Sequence, residues 1–231
     1  MKTNKLYLKN LSVEITRRCN MTCGHCLRGD SEQTDIRQKD IYNVLKNVKY
    51  IQHFNITGGE PSLNPAAMRY ILELLKRFGI GVYSFYIVTN GSRSALSQEF
   101  IDVCAALYDY QEEKTEDNNC HMLEMSDDRF HDPAAQEQVS AKLGKYPFFG
   151  LRGQSENIFL LKEGRCEAGN TNNIYPIYLT ATDYVYGDVY LNAEGMILSN
   201  GDLSYNRQRE NVLCSSGGFM EYLKTVLRKD E

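Results

Sequence analysis

This sequence of 231 residues lacks several things, and each lack removes a class of protein. No apolar run approaches the roughly 20 residues that a bilayer-spanning helix needs, so neither a transmembrane helix nor a membrane partner is expected. The stretch from Met1 to Asn10 is polar and has no apolar segment of the secretory kind; the expected compartment is the cytoplasm. A strong charge of either sign is missing too. Twenty-six Lys and Arg against 30 Asp and Glu leave a formal net charge of −4, without the basic footprint of a nucleic-acid binder. There is no internal repeat and no low-complexity tract. At 42% hydrophobic and 24% charged residues, the chain has the balance of an ordinary soluble domain. Its length suits one good-sized core, or one α/β domain with an appendage.

An even cysteine count is also lacking. Seven cysteines cannot all pair internally, and in a reducing cytosol clustered thiols point to metal binding or redox work before structural disulfides. Three of the seven, Cys19, Cys23 and Cys26, fall within eight residues. Cys104, Cys120, Cys166 and Cys214 are scattered.

Residue patterning predicts alternating strands and helices over the first two-thirds. Leu11–Thr16 alternates apolar and polar residues as a strand does. Gln38–Val48 carries Ile41, Val44, Leu45 and Val48 at helical spacing. Phe54–Thr57 is a short strand ending in Gly58-Gly59. Pro65–Phe78 is a helix with Gly79 as its stop signal. Val82–Thr89 is a strand, Ser97–Leu107 a helix, His121–Met125 a strand and Pro133–Leu143 a helix. Phe148–Leu151 and Ile158–Leu161 are short strands, and Glu112–Asp117 is a solvated connection. This βαβ order implies a parallel sheet with helices outside it. From Ile174 to Leu198 the chain is rich in Tyr and β-branched residues. It predicts antiparallel hairpins with turns at Tyr186-Gly187-Asp188 and Asn192-Ala193-Glu194-Gly195, before a final helix over Met220–Arg228. A seam near 165 divides the chain into residues 1–165 and an extension, 166–231.

The stretch from Cys19 to Cys26 reads C-x3-C-x2-C and follows a predicted strand, at the end where α/β folds collect their chemistry. Thiolates are the usual ligands of iron–sulfur clusters. Three from one loop can hold three corners of a cube and leave the fourth iron open. A Cys3His zinc site that includes His25 is an alternative, although His25 stands between two of the other ligands. A C-x-x-C redox pair is another, and leaves Cys19 without a role.

This loop resembles the signature of the radical SAM superfamily, C-x3-C-x-φ-C, with His25 in the usually aromatic place. One βα unit later, Gly58-Gly59-Glu60-Pro61 resembles the family's GGE segment, which lies along the methionine part of S-adenosylmethionine (SAM). Glycines there let backbone approach a ligand closely. Fainter echoes follow. Thr89-Asn90-Gly91 ends the third strand. Ser126-Asp127-Asp128 is similar to an S-x-D found near the SAM ribose. Gly164-Arg165 stands where members often carry an Arg near the SAM carboxylate. Each also has a plain reading as a turn or cap.

The resemblance covers residues 11 to about 165 and implies an α/β fold, a partial (βα)6 TIM-like barrel with a small C-terminal extension of hairpins and a helix. It implies an enzyme with an oxygen-sensitive [4Fe–4S] cluster, working anaerobically. Cys19, Cys23 and Cys26 would be the cluster ligands. Gly58, Gly59, Glu60, Asn90, Ser126, Asp128 and Arg165 would contact SAM. In the family an external donor of flavodoxin or ferredoxin type reduces the cluster, SAM is cleaved to methionine and a 5′-deoxyadenosyl radical, and the radical takes hydrogen from a substrate. The wording of the cysteine loop and the extension resemble peptide- and protein-modifying members, so a peptide or small metabolite is the expected substrate. Alternatives are a glycyl-radical enzyme activating protein, a carboxy-deazaguanine synthase-like ring-forming enzyme and, in another class, a non-catalytic metal-binding module. Replacing Gly59 is expected to weaken SAM binding without loss of iron.

The extension resembles one that carries an auxiliary cluster in some relatives, but Asn200 stands where that pattern has a Cys. The scattered cysteines are then expected to be small buried hydrophobes. His131 is a candidate acid, base or substrate contact beside the ribose segment. Tyr175, Tyr178, Tyr184, Tyr186, Tyr190 and Tyr205 either line a pocket or simply suit half-exposed strands.

Overall fold

The computed structural model describes residues 5–114, 121–127, 131–152 and 160–227. Nine strands form one sheet: β1 (Leu6–Glu14), β2 (Val48–Thr57), β3 (Gly81–Thr89), β4 (Leu123–Ser126), β5 (Phe149–Arg152), β6 (Tyr178–Leu179), β7 (Tyr184–Leu191), β8 (Met196–Leu198) and β9 (Cys214–Ser215). They lie in the order β5-β4-β3-β2-β1-β7-β8-β9, with β6 paired to β7. Six of them, from β7 through β1 to β5, run parallel. The sheet does not close among the described residues, so the expected partial barrel is the observed architecture.

Helices α1 (Gln38–Leu45), α2 (Pro65–Phe78), α3 (Gln98–Tyr110) and α4 (Pro133–Leu143) provide the crossovers that parallel strands require. The helices α2 and α4 start and stop as their residues dictate. Pro65 opens α2, the Asn64 side chain accepts from the Ala67 N–H, and Gly79 ends it in the left-handed region. Pro133 and the Asp132 side chain do the same for the start of α4. Among the described residues, two short helices, α5 (Tyr205–Glu210) and α6 (Phe219–Thr225), lie in the last third of the chain. No helix of the described residues is long and apolar enough to cross a membrane.

The two faces of the sheet differ sharply. Leu11, Val13, Ile56, Ile87, Leu123 and Met125 are buried, each contributing about 1.5–3 kcal/mol. Alternate residues Asn10, Ser12, Asn55, Ser84, Tyr86 and Ser126 instead line a large cleft. A parallel strand buried on both faces reads as a continuous apolar run; these strands alternate because one face looks into the cleft.

The structure corrects the predicted elements in four places. Val48 is not the end of a helix but the start of β2, paired with Leu6. Its spacing from Ile41, Val44 and Leu45 fits a helical period, and only the long-range pairing decides against it. The strand β1 likewise begins at Leu6, five residues before the predicted start. Tyr186-Gly187-Asp188 is not a turn but lies within β7. Opposite Lys9, the register steps from Leu8↔Val185 to Asn10↔Asp188, and Gly187 has φ 93°. This is a bulge, with glycine taking the positive φ. Finally, the sixth parallel strand is β7, beside β1. Of the predicted strand Ile158–Leu161, residues 158 and 159 lie outside the described residues, and Leu161 makes only an isolated bridge to Asn170. Turn 192–195, by contrast, joins antiparallel β7 and β8 as expected.

Candidate active site

Four segments meet at the C-terminal ends of the parallel strands: the cysteine loop after β1, Gly58–Glu60 after β2, Asn90 after β3 and Asp127 after β4. Together they line one cleft of about 1920 Å³. Chemistry collects at this end because the strands stop there and the loops are free to vary.

Cys19, Cys23 and Cys26 are all half-buried and line the cleft. Their loop contains no helix or strand, and its base is zipped. Arg17 N–H donates to Thr34 O at 2.8 Å, Ile36 N–H to Ile15 O at 3.1 Å and Glu32 N–H to Arg17 O at 3.2 Å. The Cys19 N–H donates to Ser31 Oγ at 3.0 Å. Burial pushes the Cys19 thiol above its ordinary range. The Met21 backbone pulls it the other way, and the charges of Glu60, Cys26 and Cys23 add to the rise. Three thiols on one wall are the donors that an iron–sulfur cluster takes. Among the described residues no three His, Cys, Asp or Glu side chains are placed to hold a single metal ion. A cubane asks for something else, one thiolate at each of three separate irons.

Gly58 and Gly59 are packed against the start of the cysteine loop. Gly59 N–H donates to Thr16 O at 2.8 Å, and Glu60 N–H to Arg18 O at 2.9 Å. A Cβ on Gly59 would stand 2.3 Å from Arg18 O, and one on Gly58 would stand 2.6 Å from Thr16 O. Both residues also line the cleft. The expectation that a change at Gly59 would spare the iron is therefore revised: two backbone hydrogen bonds join this turn to the start of the cluster loop.

Glu60 is buried, and its carboxylate is engaged inside the protein. Oε1 accepts from Thr89 Oγ1 at 2.8 Å and from Ser62 N–H at 3.1 Å; Oε2 accepts from Asn90 N–H at 2.8 Å. Burial raises its pKa, and these donors partly offset the rise. The Asn90 amide donates to Asn20 Oδ1 at 2.9 Å and lies 3.8 Å from Cys19 Sγ. Asn20 donates in turn to Ser92 Oγ at 2.7 Å. The β3 end is thus tied directly to the cysteine loop. Ser126, Asp127 and His131 line the cleft; Asp128 lies outside the described residues. His131 Nε2 is 3.9 Å from Cys23 Sγ, and its ring meets His25 edge to face at 5.9 Å.

Arg165 sits behind the loop rather than on the cleft wall. Its Nε donates to Cys23 O at 3.0 Å, its backbone N–H to Cys26 O at 2.9 Å, and its Nη1 pairs with Asp30 at 2.8 Å. Cys104 and Cys166 are buried and Cys214 is half-buried against the core; Cys120 lies outside the described residues. Asn200 donates to Asn172 Oδ1 and Asn173 O, both at 2.8 Å. Tyr190 is buried on the cleft wall, whereas Tyr175 and Tyr186 are exposed.

Two arginines that the sequence did not single out complete the loop. Arg17, fully buried, donates from Nε to Glu14 Oε1 at 2.8 Å, from Nη1 to Glu32 Oε2 at 2.9 Å and from Nη2 to Gln208 Oε1 at 2.8 Å. Arg28 Nη1 donates to Leu203 O at 2.9 Å and also reaches Gly201 O. One sign pointed to Arg17. Alternation along Leu11, Val13 and Ile15 turns Glu14 toward the opposite, cleft-side face, where a carboxylate needs a cation.

Burial works against the Glu14 charge, yet Arg28 and Arg17 hold its carboxyl below the ordinary value of 4.5. A folded-state pKa that is depressed stabilises the protein above the unfolded value, and this stabilisation is lost as pH falls through the folded one. Denaturation midpoints of the wild type should therefore exceed those of Glu14→Gln at pH 7, with the gap shrinking below about pH 4.5. A gap that is constant from pH 7 to pH 3 would refute the charged pairing.

The family model described as "Radical SAM superfamily" matches residues 13–131, more than half of the chain. GTP 3',8-cyclase of Rhizobium etli (strain CIAT 652) is 26% identical over 102 residues, covering 41% of this chain and 29% of that protein. The putative peptide biosynthesis protein YydG of Bacillus subtilis (strain 168) is 30% identical over 79 residues, covering 32% and 24%. The matched stretch thus spans less than a third of either relative. Among solved structures, anSMEcpe with bound AdoMet aligns with a TM-score of 0.59 at 11% identity, over 95% of this chain and 80% of that one. With AdoMet and the Cp18Cys peptide the same protein aligns at 0.55 and 12%, over 94% and 79%. At such identities these two structures speak for the fold alone. The family match, the cysteine spacing and the partial barrel agree: the chain belongs to the radical SAM superfamily, a family of enzymes that use a [4Fe–4S] cluster and SAM.

Proposed function

We propose that this chain cleaves SAM reductively at the described cleft and that the reaction modifies a peptide. The observation that carries the reading is the convergence of Cys19, Cys23 and Cys26 with the Gly58-Gly59 turn on one cleft wall. When bound, the cluster and SAM supply one-electron cleavage of the S–C5′ bond and, with it, a carbon radical that takes hydrogen from the substrate. The chain's part is to hold and exclude. The three thiols would hold the cluster. The edge of Gly58, Gly59 and Asn90, with Ser126 beyond it, receives SAM. The walls keep water from the radical.

The size and charge of the cleft favour a peptide over a nucleoside triphosphate. A volume of about 1920 Å³ exceeds the roughly 300–1,000 Å³ of a pocket for one drug-sized ligand, which leaves room for a second large molecule beside SAM. Among the described lining residues, and leaving aside Glu60, whose carboxylate is engaged inside the protein, Glu113, Asp127, Asp188 and Asp202 face two arginines, Arg28 and Arg152, and no lysine. Arg28 is already committed to backbone carbonyls. A triphosphate calls for a cluster of cations, and a peptide does not. The name of YydG, a putative peptide biosynthesis protein, points the same way. We keep residues 1–165 as the catalytic core, 166–231 as its extension, and an external one-electron donor as partner.

The test is anaerobic. The protein is reconstituted with iron and sulfide, reduced and given SAM, and 5′-deoxyadenosine is measured by mass spectrometry. Cluster-dependent product is expected. Zinc in place of iron, with no product, would overturn the reading.

A further inference from the structure

We propose that Arg17 is a positioning residue, through which the C-terminal extension sets where the three cysteine thiols stand; this rests on the cluster-binding reading above. The loop that carries the thiols has no helix or strand of its own, so its shape comes from what grips it. Arg17 lies two residues before Cys19, and its side chain is fully buried. One edge of its guanidinium bonds Glu14 at the end of β1, and the rest reaches Glu32 on the returning limb of the loop. The remaining contacts belong to the extension: Gln208 Oε1 at 2.8 Å, Glu194 Oε1 at 3.0 Å and the Tyr205 ring at 4.5 Å.

The extension closes the same circuit from its own side. Gln208 Nε2 donates to Glu14 Oε2 at 3.0 Å, and Tyr190 Oη donates to it at 2.6 Å. Tyr205 N–H donates to Arg28 O at 3.1 Å, two residues beyond Cys26. The cysteine loop is thus held by one short helix, α5, just before its first thiol and just after its last.

A buried ion pair is a poor source of stability, because desolvation consumes most of the attraction. Its distinguishing property is geometry. A guanidinium is a rigid fork that satisfies several acceptors at fixed angles, so Arg17 cannot shift without breaking bonds to three segments at once. That is the property a cluster loop needs if its open iron is to meet SAM correctly.

The experiment uses the full chain, reconstituted anaerobically, as wild type, Gln208→Leu, Arg17→Lys and Arg17→Met. Iron and sulfide content, midpoint potential, and the EPR spectrum of the reduced cluster with and without SAM are measured, together with Tm. Gln208 does not line the cleft, so Gln208→Leu is the decisive variant. It should bind iron yet show an altered SAM-dependent EPR change and a loss of SAM affinity, with 5′-deoxyadenosine formation down about tenfold, as losses of outer-shell partners do. Arg17→Lys should fall between it and Arg17→Met. Wild-type spectra, potential and SAM affinity in both Gln208→Leu and Arg17→Lys, with only Tm lowered, would overturn the proposal, even if Arg17→Met failed to fold. A wild-type protein that gives no SAM-sensitive [4Fe–4S] signal would instead sink the cluster-binding reading itself.

Discussion

Replacing Cys26 by Ala is expected to abolish 5′-deoxyadenosine formation while leaving the fold in place. The two effects separate because different atoms carry them. The structural bonds of Cys26 are made by its backbone: its N–H donates to Cys23 O at 3.2 Å, and its O accepts from Arg165 N–H at 2.9 Å and Gly29 N–H at 3.3 Å. Alanine keeps all three. The thiol points to the cleft wall, and its removal should cost the apoprotein about 1 kcal/mol or less. The cluster, by contrast, would lose one of the three protein ligands proposed for it. The rate should fall by more than the roughly 100-fold that the loss of an outer-shell partner can cost. Iron content, Tm and product should be measured on the same preparation. Wild-type product with Cys26→Ala would remove Cys26 from the ligand set.

The second large effect is expected at Gly59. In Gly59→Val the new Cβ meets Arg18 O at 2.3 Å, Arg18 C at 2.8 Å and Arg17 O at 3.0 Å. These are backbone atoms, so no side chain can rotate away. Either the turn or the cysteine loop must move, and both Gly59 N–H→Thr16 O and Glu60 N–H→Arg18 O are strained. Overpacking of this kind costs about 1–3 kcal/mol, and a chain of this size loses about 2–4 °C in Tm for each kcal/mol. Because Arg18 precedes Cys19, iron loading should fall along with SAM binding. Full iron loading with weakened SAM binding would mean that the loop yields around the side chain and that the glycines serve SAM alone.

Much of this site was legible in the residues because its signals are local. Three cysteines at fixed spacing after an alternating strand, and paired glycines at the end of the next strand, are each confined to a few residues, so the spacing within each constrains its geometry. Helices such as Pro65–Phe78 carry their own start, stripe and stop. The misreadings share one cause. Val48 reads as helical until its pairing with Leu6 is known, and Gly187 reads as a turn until the bulge opposite Lys9 is seen. In each case strand pairing over a long sequence separation overrides local pattern.

By itself, then, the sequence determined the family, the alternation of strand and helix, and the loop that bears the thiols, since all of these depend on neighbours within a few residues. Only the tertiary structure decided how that loop is held. Arg17 and Gln208 stand 191 residues apart, Arg165 reaches Cys23 across 142, and Gly59 presses on Arg18 from another strand's end. Buried ion pairs and backbone contacts of this kind leave no periodicity in a sequence. The Arg17–Gln208 contact comes into being only when β7 takes its place beside β1, and the Gly59–Arg18 contact only when β2 does.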